Sequence, residues 1–189
     1  MNRFFYIAIL SACLGIGIIS LSCSIPEPSG DILFLQDSIF YSTPARGGIP
    51  KAISIDTISF TTSDTINLGE WTCFIHSNSL IWIPREGSEP IVISAEDEFV
   101  TGFDISPKNG QVCYTLKLQN SQDYALIVKA IPEGKIIRFF ITDNECSHPS
   151  LDLTGLWVAF EIADSIYLGY LPDGSIQPLV KGSLPKWLK

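Results

Sequence analysis

Histidine and methionine are scarce: the 189 residues hold two His and one Met, so a His-built metal centre has almost no material. Basic residues are few, with Lys plus Arg at 12, Asp plus Glu at 20 and a net charge of −8. A protein that displaces counterions from phosphates needs a basic face, and this balance excludes a nucleic-acid binder. Charged residues make up only 17 % and hydrophobic ones 46 %, the reverse of the balance that keeps a chain disordered. Five Cys are too few for a disulfide scaffold, and no Cys-x-x-Cys pair occurs. There is no Gly-x-Ser-x-Gly nucleophile elbow. Gly47-Gly48 and the other glycines lack the Lys-Ser/Thr that completes a phosphate loop. The twenty acids are scattered and show no pair set across a glycosidic bond. After residue 30, no stretch keeps a helical apolar period beyond about two turns.

Arg3 is the only charge before Glu27, and Phe4 to Ile19 is apolar or small throughout, ending in Ser20-Leu21-Ser22-Cys23. A positive start, an apolar run and a small-residue site form an export signal. With its Cys, the stretch resembles a bacterial lipoprotein signal, although Ser20 stands where that motif favours Leu. The resemblance implies cleavage after residue 22 and lipidation of Cys23. Leu10-Ser11-Ala12-Cys13 is the alternative site, but it leaves an apolar run of only seven residues, Phe4 to Leu10. We therefore expect a signal peptide or anchor helix at 1–22, a tether at 23–30 and a folded part at 31–189. Loss of Arg3 takes the net charge from −8 to −9. The expected location is outside the cytoplasm, lipid-anchored and facing the periplasm or cell surface.

Two sets of anchors repeat in the folded part. Phe34, Phe74, Tyr114 and Phe160 each close a β-prone run, at spacings of 40, 40 and 46. Each is followed by a turn signal: Pro44-Ala45-Arg46-Gly47, Pro84-Arg85-Glu86-Gly87, Pro132-Glu133-Gly134 and Pro172-Asp173-Gly174. The glycines of these turns are 40, 47 and 40 apart, so one insertion in the third unit explains both irregularities. It falls in the polar stretch Lys117 to Asp123. Runs such as Ser79-Leu80-Ile81-Trp82-Ile83 are β-branched and aromatic. A period near 42 built of short strands predicts an all-β protein with β-propeller-type blades. The units lie at about 31–55, 56–95, 96–142 and 143–182, with a closing or extra strand at 183–189.

Pro149-Ser150-Leu151-Asp152-Leu153-Thr154-Gly155-Leu156-Trp157-Val158-Ala159-Phe160 resembles the TolB-type propeller repeat, P-x-[FW]-S-P-D-G-K-x-I-A-F. Ser106-Pro107-Lys108-Asn109-Gly110-Gln111-Val112-Cys113-Tyr114 is similar to the same motif, with Asn109 in the place of the Gly and expected to take its left-handed conformation. The resemblance is close over 100–187 and loose over 30–99. In this alignment Cys73 and Cys113 take the slot of Ala159, which predicts small, buried, unbridged side chains. Trp71 and Trp157 also share a slot, read as packing between blades. In Asp143-Asn144-Glu145-Cys146-Ser147-His148, Cys146 and His148 are one residue apart and the other His is distant, so a loop is favoured over a metal site.

Four units are at the lower limit for a closed ring. Leu184-Pro185-Lys186-Trp187 matches the start of the fourth unit, His148-Pro149-Ser150-Leu151, and either closes a small ring by pairing with the first unit or begins the next blade of an incomplete arc; four units favour the arc. The inner strands offer only Asp104, His148 and Lys186 for chemistry. The TolB resemblance implies a non-catalytic, cofactor-free binding or scaffold lipoprotein of the cell envelope. Its expected partner is an envelope protein or a second copy. The alternatives are a propeller-type hydrolase or lyase, or a carbohydrate-binding module.

Overall fold

The computed structural model describes residues 24–53, 65–68, 71–85, 87–118 and 123–188. The export signal, Cys13 and Cys23 lie outside these residues. Sixteen strands are described: β1 (Asp31–Gln36), β2 (Ile39–Pro44), β3 (Lys51–Ala52), β4 (Thr65–Leu68), β5 (Trp71–His76), β6 (Ser79–Ile83), β7 (Ile91–Val92) and β8 (Phe99–Ser106) in the first half. The second half adds β9 (Gln111–Lys117), β10 (Tyr124–Ala130), β11 (Ile136–Thr142), β12 (Cys146–Leu151), β13 (Trp157–Ile162), β14 (Ser165–Tyr170), β15 (Ile176–Lys181) and β16 (Ser183–Trp187). They form four antiparallel sheets of four strands: β16-β1-β2-β3, β4 to β7, β8 to β11 and β12 to β15, here sheets 1 to 4. This is a β-propeller-type architecture.

Local chemistry sets each blade. The central hairpins of sheets 1, 2 and 4 turn on two residues, Asp37-Ser38, Ser77-Asn78 and Ala163-Asp164, all with positive φ. Two positive φ values in succession make the hairpin turn whose twist matches the strands. Sheet 3 departs at the expected place, between β9 and β10, where the Leu118 N–H donates to Asp123 O at 3.1 Å. At the opposite end, Gly47, Gly87, Gly134 and Gly174 all have φ between 67° and 88°, which explains the glycine at each turn. Asn109 does not take the left-handed conformation. Pro107–Asn109 forms a single 3-10 turn, and Gly110, at φ 61°, absorbs the reversal one residue later.

The closing strand settles the order of the blades. β16 pairs with β1, Ile32 opposite Trp187 and Leu33 opposite Lys186, so the last strand is the innermost strand of the first sheet. Three buried apolar clusters hold the sheets together. One joins sheets 2 and 3 around Cys73, Leu80, Trp82, Tyr114 and Ile127. The second joins sheets 3 and 4 around Cys113, Leu126, Phe140, Leu151 and Phe160. The third joins sheets 4 and 1 around Trp157, Leu168, Ile32 and Trp187. The packed order is therefore 2-3-4-1, and no such cluster joins sheets 1 and 2 among the described residues. The two alternatives for the last strand are thus combined: it completes sheet 1, and the four sheets form an arc consistent with an incomplete propeller.

The register confirms the shared slot of the cysteines. Cys113 lies opposite Asp104, Ala159 opposite Ser150, Cys73 opposite Ile66 and Leu33 opposite Lys186. Cys73, Cys113 and Ala159 have no exposed surface, and Leu33 has 1 %. Cys73, Cys113 and Cys146 are free thiols. Burial pushes the Cys73 thiol up to about 12 and raises Cys146 as well. At pH 8 the reactive thiolate of Cys73 is then a fraction on the order of one in ten thousand. Native protein should leave these three cysteines unlabelled by iodoacetamide, and unfolding in guanidinium should expose them; peptide mass spectrometry reads the difference. The unfolded chain ionises its thiols first, so stability should fall as pH rises from the ordinary 9.0 towards about 12.

Candidate functional site: the inner strands and an open outer edge

The inner strands β8, β12 and β16 lie side by side, and each is bulged near the same point of the repeat, β8 between Val100 and Gly102 and β12 between Ser147 and Ser150. His148 and Leu184 occupy this position in β12 and β16, with φ of 49° and 52°. In β8 the matching residue is Gly102, whose added Cβ would lie 3.5 Å from Pro149. A backbone conformation repeated by a leucine belongs to the blade, and the positive φ of His148 is no mark of chemistry.

Two residues beyond each bulge stand Asp104, Ser150 and Lys186. The Leu151 N–H donates to Asp104 Oδ2 at 2.9 Å, and the Trp187 N–H donates to Ser150 Oγ at 3.0 Å. One blade's side chain thus accepts from the next blade's inner strand, one residue beyond the equivalent slot, and the pattern occurs twice. Lys186 Nζ then returns to Asp104 Oδ1 at 3.1 Å, tying β16 back to β8. The Asp104 side chain is 2 % exposed, and that of Lys186 44 %. A buried carboxylate needs such partners. Beside them, Glu161 Oε2 accepts the Leu184 N–H at 3.1 Å and lies 3.1 Å from His148 Nδ1.

Of the three inner-strand candidates of the sequence, Asp104 and Lys186 are brought together as a staple between blades, and His148 meets Glu161 of its own sheet. The other candidates resolve in the same direction. Trp157 lies tilted against Tyr170, ring centroids 4.7 Å apart, within the cluster between sheets 4 and 1, and Trp71 lies 5.2 Å from Trp82 against the cluster between sheets 2 and 3. Cys146 is buried between sheets 3 and 4, while His148 is half exposed and turned to Glu161. No group of three or more metal-ligating side chains occurs among the described residues. The motif residue Asp152 builds a turn: its Oδ1 accepts the N–H groups of Leu156 and Trp157, both at 3.0 Å, and its Oδ2 binds Thr154.

The outer edges differ from one another in a way the sequence alone did not reveal. β3 and β7 are two residues long, and β15 carries Pro178 and Lys181, all devices that blunt an edge. β11 is neither shortened nor interrupted by proline or lysine, and only a bulge at Ile137 disturbs its pairing with β10. It runs Ile136-Ile137-Arg138-Phe139-Phe140-Ile141-Thr142, seven residues with no proline, paired to β10 alone. Ile136, Phe139 and Ile141 are 54 %, 41 % and 57 % exposed. Its one charge is turned away, since Arg138 donates to the carbonyls of Leu171 and Pro172 in the neighbouring unit. The signal was present as an apolar run with a single charge; missing was the knowledge that this strand is outermost.

No family model matches the chain, and no curated protein does. Similar solved structures include a putative TolB from Agrobacterium tumefaciens, 13 % identical with a TM-score of 0.47, covering 81 % of this chain and 62 % of that one. TolB from Acinetobacter baumannii is 14 % identical with a TM-score of 0.48, covering 85 % and 45 %. An oligogalacturonate lyase from Vibrio parahaemolyticus is 15 % identical with a TM-score of 0.45, covering 76 % and 42 %. The chain thus spans less than two thirds of each of these proteins.

Proposed function

We propose that the chain is a non-catalytic, protein-binding module of the cell envelope, held at the membrane through a lipid on Cys23, and that its partner engages the outer edge of sheet 3. The observation that carries this reading is β11: a seven-residue apolar edge, bulged only at Ile137, beside three edges that are shortened or blocked. An unpaired edge offers a row of N–H and C=O groups to an extended segment, with alternate side chains for selectivity. The inner strands support the same reading, because their polar groups are spent on one another between blades. The envelope setting is supported by the export-type pattern of the first 23 residues.

The test is a photocrosslinking amino acid placed at Phe139 in intact cells, with Ile176 of β15 as the control, both being about equally exposed at 41 % and 40 %. A discrete higher-mass adduct from position 139, absent from 176, is expected, and Phe139→Asp should remove the association while leaving the thermal unfolding midpoint within a few degrees. Equal adducts at both positions, or none at 139, would overturn the assignment. Turnover of a small substrate that survives Phe139→Asp would favour the enzyme alternative.

A further inference from the structure

The turn after β2 sets sheet 1 apart from the other blades. In the repeat, the residue before the turn glycine is Glu86, Glu133 and Asp173 in units 2, 3 and 4, but Arg46 in unit 1. Residues 38–55 contain two charges, Arg46 and Lys51, and no acid, within a chain of net charge −8. Between these cations stands Ile49 at 87 % exposure, the most exposed large hydrophobic side chain described. Isolated exposed apolar residues are ordinary; this one stands on an anchored turn. The Gly47 N–H donates to Pro44 O at 2.9 Å, and the Ala45 N–H donates to Gly30 O, also at 2.9 Å, at the end of the tether.

The tether is itself docked there. Pro28 is buried, Trp187 Nε1 donates to Ser29 O at 3.1 Å, and Glu27 lies 3.9 Å from Arg46. Cys23 precedes Pro28 by five residues, a reach of at most about 18 Å even when fully extended. A lipid on Cys23 therefore brings this corner of sheet 1 to the bilayer. The tether adds Ile25, 46 % exposed, on the same path.

We propose that the turn from Pro44 to Lys51 rests on the membrane surface, with Ile49 entering the interfacial layer and Arg46 and Lys51 facing the phosphates of anionic phospholipids. The inference rests on the Cys23 anchor. Its consequence is orientation: a turn with two cations and no acid meets anionic lipid, Arg46 leaving the exposed Glu27 for a phosphate, while the rest of an acidic protein is repelled from it. A lipid chain supplies retention, and a few interfacial contacts add to it and set the angle at which the blades stand.

The test uses the full chain, purified from membranes in its processed form and reconstituted into phosphatidylethanolamine vesicles containing phosphatidylglycerol. A polarity-sensitive fluorophore is attached at Ile49→Cys or, as control, at Ser77→Cys, an exposed turn at the other end of the blades. The buried cysteines leave the introduced one to be labelled. Flotation with the vesicles reports the anchor, and quenching by brominated lipid reports the contact. Expected are flotation of both proteins, quenching at 49 at least about twofold that at 77, and loss of the excess with Arg46→Glu or without phosphatidylglycerol. Flotation with equal quenching at both sites overturns the contact and leaves the anchor standing. Failure to float, as expected for Cys23→Ala, overturns both. Blue-shifted emission at 49 in native membranes but not in pure lipid vesicles also overturns the proposal, by showing that a protein covers the turn.

Discussion

Deleting residues 183–189 is expected to abolish cooperative folding, because the strand removed is the innermost strand of sheet 1 and one wall of a core. Trp187 is 3 % exposed in the cluster with Ile32, Trp157 and Leu168, and its N–H is held by Ser150. Replacing a buried Trp by Ala costs about 3–5 kcal/mol, a large part of a stability of about 5–15 kcal/mol. The deletion adds the loss of the β1 ladder and of the Lys186–Asp104 contact. Trp187→Ala alone should lower the urea midpoint sharply, and the deletion should give no cooperative transition by circular dichroism. A deletion that unfolds at the parental midpoint would show that β16 is dispensable.

Asp104→Ala is expected to have the next largest effect. Its carboxylate is buried and serves two elements, the backbone N–H of Leu151 and the ammonium of Lys186. Removing it orphans a buried N–H and leaves a cation without its partner, a cost of about 2–4 kcal/mol. Lys186→Met should cost less, about 1 kcal/mol, because Lys186 is half exposed and water screens its charge. Asp104→Asn should fall between them, since an amide oxygen still accepts from Leu151. Chemical unfolding of the three variants gives the ranking. Equal losses in Asp104→Ala and Lys186→Met would mean that the ion pair, and not the backbone staple, carries the energy.

Much of the blade could be read from the residues because it depends on near neighbours. The turn glycines, the longer hairpin at Leu118 to Asp123 and the small buried slot of Cys73, Cys113 and Ala159 follow from repeat spacing and side-chain size. Asn109 does not behave as Gly155 does, because Pro107 begins a 3-10 turn that passes the reversal to Gly110. The inner-strand residues Asp104, His148 and Lys186 are legible as polar positions, but the partners of Asp104 and Lys186 lie on other blades: Asp104 meets a backbone N–H 47 positions away, which no local pattern encodes. The edge at β11 stayed hidden for the same reason. Its composition is that of a core strand, and only the sheet order shows that its far side is uncovered.

The pairing of the first and last strands is the point on which the order 2-3-4-1 depends, and amide hydrogen exchange reads it directly. Paired strands of a core exchange through global opening, whereas unpaired ones exchange locally and fast. Peptides from β1 and β16, with Ile32 opposite Trp187, should be protected as strongly as those from β9 and β13. Exchange of β16 within seconds, while β13 stays protected, would contradict the arrangement.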